Sequence, residues 1–334
     1  MKIIVPMAGM GKRMRPHTLT VPKPLIPIAG KPIVQRLVEE IAKVSKEAVE
    51  EIAFIIGDFG EAVENNLKEI AANLGAKASI YYQHEALGTG HAIYCAEPSL
   101  DGKVVVAFAD TLFKADFKLD DESDSVIWVQ QVDDPSAFGV VKLNGEGEIT
   151  DFVEKPKDFV SDLAIIGIYY FKNGSNLKSE LKYLLDNKVV VNGEYQLTDA
   201  LENMKNKGLK FKPGQVKEWM DCGNKDATVH TNQRILEYHK DDELVCPSSQ
   251  NINSVIIPPC YIGKNVRIEN SVIGPHVSVG ANTVVNNSLV RNTIIQRNSK
   301  IENLNVENSM IGNHVDIVGD VTELSVGDFA TLSK

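Results

Sequence analysis

An α/β protein with a parallel sheet over residues 1–240, followed by a parallel β-helix over residues 245–334, is predicted by two patterns in the chain. In the first, apolar runs at residues 2–5, 52–56, 79–83 and 104–109 alternate with helical periodicities that begin at Pro32, Phe59 and Gly88. Continuous apolar runs separated by helices belong to strands covered on both faces. In the second, helical periodicity stops after Lys240 and a short phrase recurs as Asn253-Ser254-Val255-Ile256, Asn270-Ser271-Val272-Ile273, Asn287-Ser288-Leu289-Val290 and Asn308-Ser309-Met310-Ile311, at steps of 17, 17 and 21 residues. A unit of that size cannot bury its own apolar face, so it is stabilised by stacking on its neighbours.

The elements follow in order. Pro32 suits the first turn of a helix whose apolar face is Ile33, Leu37, Val38 and Ile41. Beyond Val126 the strands become denser, with Gly145 and Gly147 marking a turn. Helices are expected near residues 173–187 and 198–207, the second capped by Thr198. In the tail, hexads such as Ile262-Gly263-Lys264-Asn265-Val266-Arg267 lead into Ile268, and Ile273, Val279 and Val285 form a second inward series.

The 334 residues carry 35 Lys and Arg against 45 Asp and Glu, a formal charge of −10. Against that balance Lys12, Arg13, Arg15, Lys23 and Lys31 fall together, which implies a local anion site and not a nucleic-acid surface. Neither a signal-type apolar region nor a run approaching the ~18 apolar residues of a membrane span is present, so no membrane partner and a cytoplasmic location are expected. Cys95, Cys222, Cys246 and Cys260 show no metal-ligand spacing and read as free thiols.

The cations surround Gly9-Met10-Gly11, which follows the first strand. Glycines there let backbone N–H groups close on phosphate oxygens. Met14 stands where a dinucleotide fingerprint needs glycine, and Arg13 follows Gly11-Lys12 where a Walker loop needs Lys-Ser/Thr, so both of those patterns fail. The ordered sequel is Arg13, Arg15-Pro16, Thr18, Pro22-Lys23-Pro24-Leu25 and Gly30-Lys31-Pro32. Taken together these residues resemble the signature of the sugar-phosphate nucleotidylyltransferases, closest to the glucose-1-phosphate thymidylyl- and uridylyltransferase branch. The resemblance runs through residues 1–240 and makes them the catalytic domain. It implies a Rossmann-like, mostly parallel mixed sheet of the nucleotide-diphospho-sugar transferase type, and a left-handed hand for the β-helix that follows.

By the same resemblance Ala8, Gly9, Met10, Gly11, Lys12 and Arg13 receive the nucleotide, and Arg13 and Lys23 neutralise the reacting phosphates. The segment from Gln83 to Ala92 matches the family's base-reading stretch, with Gln83, Gly88 and Thr89 as candidates. An amide offers both a donor and an acceptor to a pyrimidine edge. Asp110 ends an apolar strand, where α/β sheets bind ligands, although a strand-end Asp equally starts a turn. Trp219-Met220-Asp221-Cys222-Gly223 resembles the motif that supplies a second carboxylate, and the pair implies a Mg²⁺ cofactor. Gly139, Glu154, Lys155, Ile165 and Glu194 match positions on the sugar-phosphate side.

The implied activity is Mg²⁺-dependent transfer of a nucleotidyl group from dTTP or UTP to a hexose 1-phosphate, glucose 1-phosphate by preference, by a homo-oligomer, dimer or tetramer. One alternative is a uridylyltransferase for N-acetylglucosamine 1-phosphate. Its relatives often carry a longer β-helix with acetyltransferase activity, for which this tail looks short and in which His276 and His314 read as solvated surface residues. Another is a non-catalytic regulatory subunit, against which Arg13, Lys23, Asp110, Lys155 and Asp221 are all retained. Departures from the pattern are Lys12, Met10 and Met14 in the loop, and Asn192 where thymidylyl enzymes usually carry arginine. Lys12 offsetting that arginine is a hypothesis for Lys12→Thr to test; unchanged Michaelis constants would remove it.

Overall fold

The computed structural model describes residues 1–116, 118–120, 123–319 and 323–332. In chain order it forms β1 (Lys2–Pro6), β2 (Pro27–Ile28), β3 (Lys31–Pro32), α1 (Ile33–Val44), β4 (Glu51–Ile56), α2 (Glu61–Asn73), β5 (Lys77–Tyr82), α3 (Thr89–Tyr94), β6 (Val104–Ala107), β7 (Thr111–Lys114), β8 (Ser125–Gln131), β9 (Gly139–Leu143), β10 (Ile149–Glu154), β11 (Leu163–Phe171), α4 (Gly174–Asp186), α5 (Leu197–Asn206), β12 (Phe211–Gln215), β13 (Glu218–Asp221) and α6 (Lys225–Tyr238). Short strands follow, from Gln250 to Leu332. Two compact units result: Met1–Gly9 with Leu37–Trp219, and Met10–Arg36 with Met220–Lys334.

In the first unit β1 lies between β4 and β6 and parallel to both, with β5 parallel beyond β4. β1, β4 and β6 are apolar without alternation because both faces are covered: Ile3, Ile4, Val5, Ile52, Phe54 and Val106 are all fully buried, whereas β5, expected to be covered likewise, is only partly buried. β11 then pairs antiparallel with β6, β8 and β9, β10 extends from β9, and β12 runs parallel to β8. The chain thus leaves β1 for β4 and β5 on one side and returns to β6 on the other. Such a reversal opens a crevice at the carboxyl ends of the strands, the usual ligand position of an open α/β sheet.

Two local expectations change. Pro32 does not enter the first helical turn: it closes β3 opposite Pro27, and α1 starts at Ile33. The turn between these strands is Ala29-Gly30, both at positive φ, 44° and 83°, as a type I′ turn requires. Thr198 does not cap α5, since it is the helix's second residue and its Oγ1 is buried without a partner. The cap comes instead from Thr89, whose Oγ1 accepts the Leu197 N–H at 3.0 Å. Asn173, by contrast, caps α4 by accepting from Ser175 N–H at 3.0 Å.

In the second unit the tail forms a left-handed parallel β-helix of three ladders. One ladder stacks strands from Gln250–Ile252 to Thr331–Leu332, another from Val255–Ile256 to Asn305–Glu307, and the third from Cys260–Ile262 to Ser325–Val326. Its core is the inward aliphatic series, including Ile262, Ile268, Ile273, Val279, Val285 and Ile301. The recurrent asparagines occupy the corners. Along one edge Asn265, Asn282 and Asn298 have φ of 56° to 58°, a conformation Asn tolerates better than most residues. Their amides form rungs, Asn265 to Asn282 and Asn282 to Asn298, each 3.1 Å.

The 21-residue step of the repeated phrase marks a change of face. Leu289 pairs with Asn305, so the successor of Ser288 is Leu304, whereas Met310 pairs with Ile294. The fourth phrase therefore sits one ladder over from the first three. Both histidines are corner residues and not simply solvated ones. His314 stacks on Phe329 with ring centroids 4.8 Å apart, and His276 Nε2 meets Glu237 Oε1 of α6 at 2.6 Å.

Within the same unit, α6 ties the β2–β3 turn to the coils. Asn232, fully buried, accepts from Ala29 N–H at 2.9 Å and from Ser278 Oγ at 2.7 Å. Gly30 lies against the Tyr261 ring, which would collide with any Cβ there.

Candidate active site

The candidate site residues fall into two sets, one in each unit. In the first unit the relevant residues follow the parallel strands: Met7 N–H continues the β1 ladder onto Ile55 C=O at 2.8 Å, after which Ala8 and Gly9 turn away. No atom lies within 4 Å of a Cβ built on Gly9, so this glycine leaves open space. Asp110 follows β6 by three residues and is half-buried.

Gln83, just past β5, has its amide oriented by two acceptors. Nε2 donates to Gly88 C=O at 3.2 Å and meets His91 Nδ1 at 3.1 Å. Burial lowers the pKa of His91, with Glu85 opposing it, and a neutral imidazole is what an acceptor at Nδ1 requires. With both amide hydrogens directed inward, Oε1 is left as an acceptor. Gly88 has φ of 106°, and a Cβ on it would lie 2.6 Å from Tyr195 O and 2.8 Å from Glu194 Cβ. That close approach is locked by Tyr195 N–H to Leu87 C=O and Gly90 N–H to Tyr195 C=O, both 2.8 Å. The Thr89 hydroxyl, engaged as the cap of α5, belongs to the same strap.

The strap joins residues expected on the nucleotide side, Gly88 and Thr89, to Glu194, expected on the sugar side. Glu194 accepts from Gln196 Nε2 at 3.0 Å. It follows a turn in which Asn192 and Gly193 have φ of 53° and 84°. Asn192 therefore has a backbone reason to be asparagine, since Asn-Gly is the favoured pair in a type I′ turn.

Gly139 and Glu154 are directly opposite each other in β9 and β10. A Cβ on Gly139 would lie 3.1 Å from Glu154 Oε2 and 3.4 Å from Ile165 Cδ1, so these three predicted residues converge. Lys155 Nζ reaches Glu154 Oε1 at 3.5 Å, and Lys155 takes φ of 41° while its N–H donates to Phe138 C=O at 3.1 Å. Tyr169, buried beside them, has its pKa raised by desolvation and by the Glu154 charge.

In the second unit Gly11, at φ 56°, is followed by a single tight turn, Lys12–Met14. A Cβ on Gly11 would lie 3.0 Å from Lys23 Cβ and 3.1 Å from Thr18 Cγ2. Thr18 Oγ1 also donates to Gly11 C=O at 2.8 Å, so the glycine lets the Lys23 segment fold back over the loop. Met10, Lys12 and Arg13 are exposed, whereas Met14 is buried and receives Thr228 Oγ1 of α6 at 3.5 Å.

Asp221 ends β13. Its Oδ1 accepts from Gly223 N–H at 2.9 Å and its C=O from Thr231 Oγ1 at 2.6 Å. A Cβ on Gly223 would stand 3.0 Å from both carboxylate oxygens and 3.2 Å from Arg13 Nη2. Arg13 and Asp221, over 200 residues apart, thus meet around one glycine. Gly223 and the orienting His91 are the two contributors whose roles the spacing of motifs does not reveal. His91 has no charge or pattern to mark it, and the signal for Gly223 is only its place two residues after a strand-end aspartate.

Among the described residues no three His, Cys, Asp or Glu side chains converge as a metal cage. Asp110 belongs to the first unit and Asp221 to the second. All four cysteines are free thiols, and among the described residues no helix is long and apolar enough to cross a membrane.

The chain belongs to the nucleotidyl transferase family, whose model matches residues 2–238. It is 31% identical over 279 residues, 82% of its length, to a "Bifunctional protein GlmU" of Methanococcus aeolicus. It spans 60% of that relative. A glucose-1-phosphate thymidylyltransferase of Streptomyces antibioticus is 28% identical over 306 residues, 84% of this chain and 83% of that one. Among solved structures, a UDP-glucose pyrophosphorylase complexed with UDP-glucose superposes with a TM-score of 0.58 at 28% identity, covering 71% of this chain and 98% of that one.

Proposed function

We propose that the protein transfers a nucleotidyl group from dTTP or UTP to a hexose 1-phosphate, with glucose 1-phosphate the first candidate, releasing pyrophosphate. The observation that carries this reading is the orientation of Gln83. Its remaining acceptor, Oε1, matches the N3–H donor of uracil or thymine and opposes cytosine, whose N3 is an acceptor.

In the reaction a phosphate oxygen of the sugar phosphate attacks the α-phosphorus, and pyrophosphate leaves in line. No covalent intermediate with the chain is required, so catalysis is positioning plus charge stabilisation. The backbone of residues 8–13 receives the triphosphate. Arg13 and Lys23 offset the negative charge that builds during displacement, and Lys155 and Glu194 orient the sugar phosphate. Gly139 and Glu154 shape the sugar side, where Glu154 accepts hydroxyl hydrogen bonds and Ile165 gives an apolar wall. Asp110 and Asp221 would hold Mg²⁺, which when bound neutralises triphosphate oxygens.

The alternative acceptor is N-acetylglucosamine 1-phosphate, as the resemblance of residues 1–240 also allows. Pyrophosphate release with Mg²⁺ is to be measured over ATP, GTP, CTP, UTP and dTTP against the 1-phosphates of glucose, galactose, mannose and N-acetylglucosamine. Turnover confined to UTP or dTTP is expected. Gln83→Ala should lower their kcat/KM by about 10- to 100-fold relative to CTP. A wild-type preference for CTP or a purine overturns the base assignment, and silence from folded protein overturns the enzymatic reading.

A further inference from the structure

The stretch between Arg13 and Lys23 is held by the far end of the β-helix. Thr20 Oγ1 donates a hydrogen bond to Asp328 Oδ2, and His17 Nε2 lies 3.1 Å from Ser325 Oγ. Pro16 packs on Gly327, where a Cβ would come within 3.0 Å of Pro16 Cβ and 3.2 Å of its carbonyl oxygen. All of these residues belong to the second compact unit.

Asp328 is itself anchored. Its Oδ1 accepts from Asn313 N–H at 2.6 Å and from Asn313 Nδ2 at 3.2 Å, and Asn313 Nδ2 also donates to Gln296 Oε1 at 2.7 Å. Asn313 and Gln296 are buried, so the carboxylate is tied to two successive coils before it reaches Thr20. Immediately past Thr20 the chain borders a cavity of about 260 Å³ lined by Val21, Pro27 and Gly30 and by Tyr261, Gln296 and Asn313. Close packing therefore does not fix the loop there, and the polar ties must.

We propose that the last coil, through Asp328 and Ser325, is a positioning element for the nucleotide loop. It holds Pro16, His17 and Thr20 so that Arg13, three residues before Pro16, and Lys23, three after Thr20, keep their triphosphate-binding arrangement. Neither coil residue touches substrate. The inference rests on the proposed nucleotidyl transfer for its kinetic consequence, but not for its structural one.

The test compares full-length wild type, Asp328→Ala and Asp328→Asn by hydrogen exchange and steady-state kinetics with UTP or dTTP. Alanine should speed exchange in residues 11–22 about tenfold while residues 255–295 stay protected. It should raise the KM for the triphosphate about tenfold and leave that for the sugar phosphate unchanged. Asparagine, whose amide oxygen keeps the Asn313 bonds and whose amide nitrogen donates to Thr20 Oγ1 in place of the accepted bond, should restore most of both. If Asp328→Ala does not fold, Ser325→Ala, which removes only the His17 contact, should give the same pattern at a few-fold size.

Unchanged loop exchange in a folded alanine variant overturns the proposal. So does faster loop exchange with an unchanged triphosphate KM, or an equal rise in both Michaelis constants. If wild type turns over no substrate pair, the functional reading fails, and the exchange comparison alone decides whether the coil holds the loop.

Discussion

Between successive coils of the β-helix, side-chain oxygens accept backbone N–H groups 16 or 17 residues on, as from Ser271 N–H to Ser254 Oγ and from Leu304 N–H to Ser288 Oγ. In the α/β unit the bond that caps α5 joins residues 108 apart. The coils form a series of near-equivalent neighbours, so a lost rung leaves similar rungs on either side. The strap between residues 87–90 and 194–197 has no duplicate. Redundancy belongs to the scaffold, and the unique contacts gather around the candidate chemistry.

The largest effects should fall on the unique charges. Asp110→Asn and Asp221→Asn should each lower kcat by about 10²- to 10³-fold or more with circular dichroism unchanged, because an amide cannot replace the carboxylate's charge. Near-normal turnover in either variant removes the metal-holding role. Next comes the strap. Gly88→Ala combines positive φ with a clash against Tyr195 backbone and should cost about 3 kcal/mol in urea unfolding. Gly102→Ala, at φ 58° with no atom within 4 Å, should cost only about 1 kcal/mol. Equal losses would mean that strain and not the strap sets the cost.

Legibility in the sequence follows the same division. The β-helix announces itself because inward aliphatics and corner asparagines return each coil, and β1, β4 and β6 because strands covered on both faces are apolar throughout. Gly11, Arg13 and Lys23 are legible as a loop because they are close in sequence. What the sequence hides is set by long-range closure. Thr89 displaces Thr198 as the cap of α5, and Asn192 answers to a turn and not to a phosphate. The fourth Asn-Ser phrase looks equivalent to the others but lies on another face, since local wording is repeated while register is set by stacking.

His17 tests the dependence of a loop residue on the distant coil. Burial pushes its imidazole down from 6.5 to about 4, with Asp328 favouring the charged form and Lys225 opposing it. A native pKa below the unfolded one means that the folded state prefers the neutral ring. The stability this contributes is fully present above pH 6.5 and is lost as pH falls through about 4. A shift of that size corresponds to about 3 kcal/mol. Urea unfolding from pH 7 to 4 should show that loss in wild type and a much flatter profile in His17→Gln. Parallel profiles would show that other groups carry the acid sensitivity.

The smallest effects should come from single rungs of the β-helix, and their order distinguishes redundancy from mere exposure. Ser288 is buried, donating to Asn286 C=O at 2.7 Å and accepting Leu304 N–H at 3.1 Å, so Ser288→Ala leaves a buried N–H unmet. That should cost about 2 kcal/mol. Asn282, with φ of 58° and rungs at the surface, loses its αL tolerance and two solvent-competed bonds in Asn282→Ala, about 1 kcal/mol. If sharing between coils is what protects the β-helix, the double variant should be additive, because the two residues occupy different corners with no common partner. Strong coupling between them would mean that the coils respond as one cooperative block, and the contrast with the strap would then lie in chemistry alone.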